Sequence, residues 1–331
     1  MNLSRVVAGF KTASMSLLQA WASTLLLVSL TFLLVRLVPG SPFDDPKLSP
    51  EIRHLLEKQF QLHLPLWQQL QWYMLQWCQG NWGVSMVSPE QPVLGRVLEA
   101  LQVSLPLGVG AFWVGLLNAT AGAVGGIHPT SSSHPKKGQF LIPYLAQGYH
   151  VGIAMPLLVC PLFALVGLGV WLLGVQWGWL PVGGWDNPFT TYGKYMVLPV
   201  LALSTIIFTP VYWLLRERLI TLQTDRLALR LHASGIPYQR IQWRHLLPLA
   251  YQNVFPLLGP LFASVLTGSF TVESMLGLPG LGKLTVESLL ARDYTLLLGC
   301  MSMIGLLFSL SMMGFQWLTA LLQPHVAREA S

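Results

Sequence analysis

Residues 225–248 read DRLALRLHASGIPYQRIQWRHLLP and form a basic stretch between two long apolar runs. Arg226 to Ala233 can form a short helix, Gly235 permits a break in it, and Pro237 prevents a simple continuation. A second helical piece, residues 239–247, leads towards the next apolar run and is predicted to stop at Pro248. A polar segment of this kind between apolar runs predicts a structured surface loop that contacts something else.

The composition around this stretch is typical of a membrane protein. Of 331 residues, 53% are hydrophobic and 10% are charged, whereas soluble domains average about 25% charged residues. The net charge is +6, but the cations lie at the ends of apolar segments and not on one soluble face, so nucleic-acid binding is not predicted. Cys78, Cys160 and Cys300 show no C-x-x-C spacing, which favours small buried hydrophobes over a metal or redox site.

Six apolar segments are long enough to cross a bilayer, since a spanning helix needs about 20 apolar residues. We predict spans at about 13–38, 101–124, 152–175, 195–215, 249–273 and 295–321. Residues 139–152 are short and interrupted, which favours an interfacial or re-entrant lead-in over a seventh span. The sequence therefore predicts an all-α polytopic membrane protein with about six transmembrane helices.

The Lys and Arg residues orient this bundle. With six spans and the N-terminus inside, the short outer loops hold only Lys194, Lys283 and Arg292. The cytoplasmic segments hold Arg5, Lys11, Lys136, Lys137, Arg216, Arg218, Arg226, Arg230, Arg240, Arg244 and Arg328. A seventh span before residue 195 would expose the arginine-rich loop outside, so both termini are predicted to be cytoplasmic.

The chain divides into three predicted parts. Residues 1–38 form the N-terminal tail and first span, residues 39–100 an outer insertion, and residues 101–331 a five-span core that contains the loop 216–248. Within the insertion, apolar residues between Leu66 and Trp77 recur at helical spacing. They predict an amphipathic helix on the membrane or on the mouth of the bundle, and contact with an external partner is a compatible alternative.

The residues show no catalytic or metal-binding pattern. Residues 277–284, GLPGLGKL, match a phosphate-binding loop until Leu284, where Ser or Thr should hold Mg²⁺. They are interpreted as an outer turn followed by a short helix, Leu284 to Leu290.

The predicted spans are nearly free of ionisable residues, since Arg36 and Glu273 lie at span ends. Carriers driven by an ion gradient need ionisable groups at mid-membrane. Energy for transport would therefore arrive through a protein contact at residues 225–248, unless this segment simply lies on anionic lipid.

Several short motifs are spread over nearly the whole chain. They are RLVPGSP (36–42), LPLWQQL (64–70), GNWGVS (80–85), WGWLP (177–181), VESMLGLPGLGK (272–283) and ARDY (291–294). Together they resemble the first permease type of the dipeptide/oligopeptide/nickel family of ABC importers, with Ser41 in place of an Asp. This resemblance implies the ABC importer type I permease fold.

The resemblance also implies two groups of site residues and no catalytic residue. The basic loop is similar to the ATPase-coupling sequence of these importers, with Leu231, His232 and Ser234 as departures from it. The implied coupling residues are Arg226, Arg230, His232, Ala233, Ser234, Gly235, Arg240 and His245. The implied outer (periplasmic) mouth contains Glu273, Pro279, Gly280, Gly282, Arg292 and Asp293.

The function implied by the resemblance is that of a peptide permease in a bacterial inner membrane. Its expected partners are a homologous second permease, two cytoplasmic ATPase subunits, a periplasmic solute-binding protein and membrane lipid. No cofactor is expected on this chain, because ATP and Mg would bind to the ATPase subunits. A nickel-chelate or cationic peptide permease of the same family stays open, as does a secondary carrier or a membrane scaffold of another class.

Overall fold

The computed structural model of the protein describes residues 3–37, 43, 49–125, 152, 154–185 and 192–322. Within these ranges the chain is helical and holds no strand beyond an isolated bridge between Val84 and Pro92. The helices are α1 (Leu3–Leu37), α2 (Pro50–Gln59), α3 (Leu66–Cys78), α4 (Val93–Gly125), α5 (Met155–Val159), α6 (Leu162–Gly169), α7 (Tyr192–Gln223), α8 (Arg226–Ala233), α9 (Tyr238–Ile241), α10 (Leu247–Leu276), α11 (Leu281–Leu290) and α12 (Tyr294–Leu322). The predicted all-α architecture is confirmed.

Five helical segments are long and apolar enough to cross a membrane, and they match five of the six predicted spans. They are Leu17–Leu37, Val93–Gly125, Gly193–Gln223, Tyr238–Leu276 and Tyr294–Thr319. Apart from Gly152, the predicted lead-in at 139–152 lies outside the described residues, as do Lys136, Lys137 and Arg328.

The third predicted span, residues 152–175, differs from the expected single helix. Its described part contains α5, which ends at Cys160, and then α6, which begins after Pro161 and continues as a π-helix over Val170–Gln176. Pro161 has no N–H to donate and its ring crowds the carbonyl four residues earlier, which favours a break here, although α4, α7 and α10 continue through internal prolines such as Pro106, Pro199 and Pro256. The segment is apolar as predicted, but it forms two helical pieces and not one continuous helix.

The chain forms two compact units, each assembled from two separate parts of the sequence. Unit 1 comprises Met1–Leu105 with Gly277–Met313, and unit 2 comprises Pro106–Leu276 with Gly314–Ser331. The outer insertion therefore belongs to unit 1, and the basic loop belongs to unit 2.

In unit 1 the insertion packs directly on the first span. Tyr73 and Trp77 of α3 are buried with Gln69, at the four-residue spacing that places them on one side of the helix. Tyr73 clusters with Val28 and Phe32 of α1 and with Leu298 of α12. Leu66 and Trp67, which belong to the predicted apolar face, are exposed. Gln69 is buried, because its side-chain amide donates to the backbone carbonyls of Leu62 and Leu64, which hydropathy alone does not reveal.

In unit 2, glycines let the helices approach closely. A Cβ at Gly115 of α4 would lie 2.5 Å from the Ser204 carbonyl oxygen and 2.7 Å from Ile207 Cβ, both on α7. A Cβ at Gly108 would lie 2.6 Å from a methyl carbon of Leu266 on α10. Small residues at helix contacts are the usual means of packing helices tightly in a membrane.

Candidate functional site

The basic loop folds locally as its sequence predicts. α8 begins after Asp225, whose carboxylate accepts a hydrogen bond from the Arg226 N–H, and it ends at Ala233, followed by Ser234 and then Gly235 with φ +79°. The Gly235 N–H donates to the His232 carbonyl at 3.0 Å and the Ile236 N–H to the Leu231 carbonyl at 3.3 Å. This pair of bonds is the Schellman turn, which needs a left-handed residue where Gly235 stands.

After the turn, the chain re-enters the bundle without a break. Pro237 precedes α9, a π-helical turn occupies Gln242–Leu246, and α10 follows directly at Leu247. Pro248 therefore lies in the first turn of α10 and does not stop the helix, contrary to the expectation from sequence. The wider π turn lies just before Pro248, whose nitrogen carries no hydrogen and so cannot donate a regular α-helical hydrogen bond.

The outer surface of this loop is both basic and apolar. On α8, Ala228 is buried and Leu231 is half-buried, so this side faces the rest of unit 2. The exposed residues include Arg226, Leu227, Leu229, Arg230, His232, Ala233, Ser234, Gly235, Arg240, Trp243 and Arg244, and His245 is half-buried. Such a surface can form ion pairs with acidic groups and bury apolar area at the same time.

Sequence reasoning missed the exposed apolar members Leu227, Leu229 and Trp243. Leu229 exposes 60% of its surface, whereas an apolar residue in an amphipathic helix is ordinarily expected to face inward. The spacing could have revealed the exposure of Leu229. Leu227 and Leu231 are four residues apart and lie on one side of the helix, whereas Leu229 is two residues from each and lies on a different side.

Two side-chain hydrogen bonds join this loop to the end of α4. Gln242 is buried and its Nε2 donates to the Val124 carbonyl at 2.8 Å. Nine residues after Gln242, on α10, the Tyr251 hydroxyl is hydrogen-bonded to Thr120 Oγ1, which lies about one turn before Val124 on α4. Neither bond was predicted, because the partners are more than a hundred residues apart and no local pattern connects them.

The second predicted group begins around α11. Gly277 has φ +70° and ends α10, and Gly280 caps the start of α11, whose first N–H, that of Leu281, donates to Ser104 Oγ at 2.7 Å. Lys283 contacts the Gly277 carbonyl at 3.3 Å and pairs with Glu287 at 3.6 Å. α11 starts three residues before the predicted helix start at Leu284. Lys283, the lysine of the sequence that resembles a phosphate-binding loop, contacts the backbone of its own turn.

Asp293 holds the turn that follows α11. Arg292 adopts the left-handed conformation at φ +57°, and the Asp293 N–H donates to the Ser288 carbonyl at 2.8 Å. The buried Asp293 carboxylate accepts hydrogen bonds from Ser85 Oγ, from the Met86 N–H at 3.0 Å and from the Leu296 N–H at 3.1 Å. Asp293 therefore caps α12 and fixes residues 85–86 of the insertion.

The six predicted mouth residues differ in exposure. Glu273 is fully buried in the last turns of α10, and Gly280, Gly282 and Asp293 are buried in unit 1. Pro279 and Arg292 are exposed. Within the described ranges, no three His, Cys, Asp or Glu residues lie close enough together to hold a metal ion.

Comparison with known proteins identifies the class. Residues 141–328 match the family described as binding-protein-dependent transport system inner membrane component. The chain belongs to this family.

The chain is also similar to curated relatives. It is 30% identical over 311 residues to the oligopeptide transport system permease protein OppB of Escherichia coli K12, covering 93% of the chain and 96% of that relative. The dipeptide transport system permease protein DppB of Bacillus subtilis 168 is 30% identical over 283 residues, 85% of the chain and 86% of the relative. DppB of Lactococcus lactis subsp. cremoris MG1363 is 28% identical over 301 residues, 91% of the chain and 94% of the relative.

Family membership confirms the class expected from the sequence motifs. The chain is a multi-pass inner-membrane component with the type I ABC permease fold, and it is a non-catalytic transport subunit. The matched region contains the whole basic loop and the α11 turn, so both predicted groups lie on the family's common core.

Proposed function

We propose that the chain is the permease subunit of an ATP-driven importer of peptides. It pairs with a homologous second permease, binds two cytoplasmic ATPase subunits, and receives its ligand from a periplasmic solute-binding protein. The relatives named as oligopeptide and dipeptide permeases support the substrate class. ATP and Mg are held by the ATPase subunits and not by this chain.

The observation that carries this proposal is the exposed surface of α8. Arg226 and Arg230 provide charge, and Leu227 and Leu229 provide apolar area, on a helix whose opposite side is anchored by Ala228. A cytoplasmic ATPase with a groove of acidic and apolar residues fits this surface. A segment that only lay on lipid would not need the Schellman turn and the buried Gln242 bond that hold it in one geometry.

The coupling path runs from α8 through the π turn to α4. Closure of the ATPases moves α8, and the Gln242–Val124 and Tyr251–Thr120 bonds pass the movement to the last turns of α4. The bundle then alternates between outward-facing and inward-facing states. The coupling residues are Arg226, Arg230, His232, Ala233, Ser234, Gly235, Arg240 and His245, and Gln242 joins them as a positioning residue.

This mechanism requires a defined orientation in the bacterial inner membrane. Both termini and residues 216–248 lie in the cytoplasm, and residues 277–293 lie at the periplasmic mouth. Of the six mouth residues, Pro279 and Arg292 offer exposed surface, while Glu273, Gly280, Gly282 and Asp293 shape the backbone from within. In a chain whose exposed Cys78 is replaced by serine, a cysteine placed at the exposed Ser234 should resist an impermeant thiol reagent in intact cells and react after lysis, and labelling of that cysteine from outside would contradict the orientation.

The decisive experiment compares two glycines of equal backbone strain. Gly235→Arg places a bulky charge on the docking surface, and we expect loss of ATPase co-purification and of peptide uptake. Gly178→Arg is the matched control, since Gly178 has φ +63° and, like Gly235, has no atom within 4 Å of an added Cβ. Retained ATPase binding in Gly235→Arg, or equal loss in both variants, would count against α8 as the docking site.

The charge of the surface is tested separately. Arg230→Glu reverses one exposed charge on α8 and should weaken ATPase recovery if the groove is acidic. Lys194→Glu reverses an exposed charge near the start of α7, outside residues 216–248, and should have a smaller effect. Normal ATPase recovery with Arg230→Glu would exclude an acidic groove.

The alternatives from other classes, a secondary carrier and a membrane scaffold, predict different results in uptake assays. A secondary carrier would take up solute in vesicles that contain this chain alone, and a scaffold would leave uptake unchanged in Gly235→Arg cells. Competition between dipeptides, longer or cationic peptides and a nickel chelate in uptake assays would assign the substrate among the members of this family.

A further inference from the structure

Unit 1 contains a cavity between the end of α1, helices α2 and α3, and the start of α12. About 140 Å³ of it is open to the centres of water molecules, and a single water needs only about 10–15 Å³ of such space. Its walls are largely aromatic: Phe32, Phe60, Trp72, Tyr73, Trp82 and Tyr294. The cavity is therefore large enough for a small ligand group and has an apolar lining.

The charge in this cavity is positive. Arg36 is the charged residue among its described lining residues, which include no aspartate or glutamate. The Arg36 guanidinium carbon lies 5.3 Å from the centre of the Phe32 ring and 5.5 Å from that of Tyr294. Cation–π contacts of this kind position a guanidinium but leave its charge in place. The cavity thus favours an anion.

Polar atoms at the wall are open to a further hydrogen bond. Gln69 donates from Nε2 to the carbonyls of Leu62 and Leu64 at 3.1 and 2.7 Å, which fixes the orientation of its amide. Its Oε1 and the Tyr294 hydroxyl are buried and have no hydrogen-bond partner within the described part of the chain. Buried polar groups are rarely left so, because each costs free energy. The wall therefore presents an acceptor and a hydroxyl beside a cation.

Tyr73 adds a second tyrosine hydroxyl to the wall. Burial raises the pKa of this phenol above its ordinary value, so it stays protonated across the physiological range and can donate. The Ser302 hydroxyl offsets part of this rise in the pKa, and the Tyr73 hydroxyl has no hydrogen-bond partner within the described part of the chain.

The cavity lies at the end of a membrane span. Arg36 is in the last turn of the candidate span Leu17–Leu37, where α1 exposes Leu33, Leu34 and Leu37. Trp72 both lines the cavity and is exposed. Span ends with aromatic and basic residues lie at the level of the lipid headgroups.

We propose that this cavity binds the headgroup of an anionic phospholipid that carries hydroxyl groups, as phosphatidylglycerol does. The phosphate pairs with Arg36 and accepts from the Tyr294 hydroxyl, a headgroup hydroxyl donates to Gln69 Oε1, and the acyl chains lie along the exposed leucines of α1. A zwitterionic headgroup fits less well, because its ammonium would lie beside Arg36 and no carboxylate is present among the described lining residues to receive it. This assignment does not depend on the transported substrate or on the orientation of the chain.

The test is lipid retention by the full-length chain, measured by native mass spectrometry against phosphatidylglycerol, phosphatidylethanolamine and phosphatidylcholine with identical acyl chains. We expect phosphatidylglycerol to be retained most strongly. Arg36→Gln should weaken its retention at least tenfold, since a charge-assisted contact is lost. Lys58→Gln, an exposed cation on α2 outside the cavity lining, is the matched control and should retain the lipid.

A second variant protects the test against misfolding. Tyr294→Phe keeps the ring beside Arg36 and removes only the hydroxyl, so we expect a smaller loss of about threefold to tenfold. Equal retention of the three lipids, or unchanged retention in both Arg36→Gln and Tyr294→Phe, would overturn the proposal.

Soluble competitors separate the possible sources of the anion. Glycerol 3-phosphate should displace phosphatidylglycerol weakly, because it carries the same phosphate and hydroxyl groups. Displacement by a tripeptide carboxylate but not by glycerol 3-phosphate would assign the cavity to a peptide and overturn the lipid assignment. Binding of inorganic phosphate without any lipid preference would reduce it to a free-anion site and overturn it equally.

Discussion

Two short helices, α8 and α11, are each followed by a turn with the same pattern of backbone hydrogen bonds. The two turns differ in how far they are buried and in which side chains contact them. The turn after α8 uses Gly235 at φ +79°, is exposed, and carries exposed charged and apolar side chains before it. The turn after α11 uses Arg292 at φ +57° and is closed by the buried Asp293, which accepts from three donors. The same local geometry therefore serves an open surface in one unit and a fixed joint in the other.

The difference indicates which of the two regions has its contacts satisfied within the chain and which leaves surface for another protein. The α11 turn satisfies its own polar groups with Ser85, Met86 and Leu296, so it needs no partner to be stable. α8 buries only Ala228 fully, and its firmest attachment comes later, at Gln242. A helix that leaves Leu227 and Leu229 exposed beside arginines is suited to be completed by another protein.

The largest predicted effect is at the closed turn. Asp293→Ala leaves the Met86 and Leu296 N–H groups without their acceptor, and we expect the free energy of unfolding to fall by about 3–5 kcal/mol. Chemical unfolding of the purified chain measures this. Glu287→Ala on α11 is the control, because its exposed pair with Lys283 is worth less than about 1 kcal/mol. Similar losses in the two variants would show that the turn is not held by Asp293.

A smaller effect is expected where the open surface joins the bundle. Gln242→Leu removes the bond to the Val124 carbonyl, which should cost about 1–2 kcal/mol of stability and lower the amount of peptide moved per ATP hydrolysed. The ratio of uptake to ATPase activity in proteoliposomes measures the second effect. Gln239→Leu, exposed on α9, should leave both quantities near the parent value. A parent-like ratio in Gln242→Leu would remove this residue from the coupling path.

The glycine itself contributes less. Gly235→Ala forces a left-handed alanine at φ +79°, at a cost of about 1 kcal/mol. No steric penalty adds to it, because the space around an added Cβ is open. Thermal unfolding should therefore shift slightly while ATPase co-purification persists. Complete loss of ATPase binding in this variant would mean that backbone geometry, and not surface chemistry, controls docking.

The smallest effect has the opposite sign. Arg292→Gly relieves the left-handed strain at φ +57° but increases the entropy of the unfolded chain, so a net gain of about 0.5 kcal/mol is expected. The midpoint of chemical unfolding should rise slightly. A marked loss of stability would reveal a contact of the Arg292 side chain that offsets the strain.

Short-range features of both regions could be predicted from sequence, and long-range ones could not. Helix 226–233 and its break at Gly235 follow from residues adjacent in the chain, and five spans follow from hydropathy. Asp293 and Ser85 lie 208 positions apart, and Gln242 and Val124 lie 118 apart, so no local pattern links them. Arg36 was expected simply to reach the interface, whereas the fold places it between two aromatic rings that belong to different helices.

The π turn at Gln242–Leu246 has a geometric consequence for the rest of α10. A wide turn holds about one residue more than an α-helical turn, and one residue corresponds to a rotation of about 100° around a helix axis. Deleting a single residue there would therefore turn all of α10 by about a quarter of a circle and carry Glu273 off its inward-facing side. This one turn thus sets the rotation of α10 relative to the basic loop that precedes it.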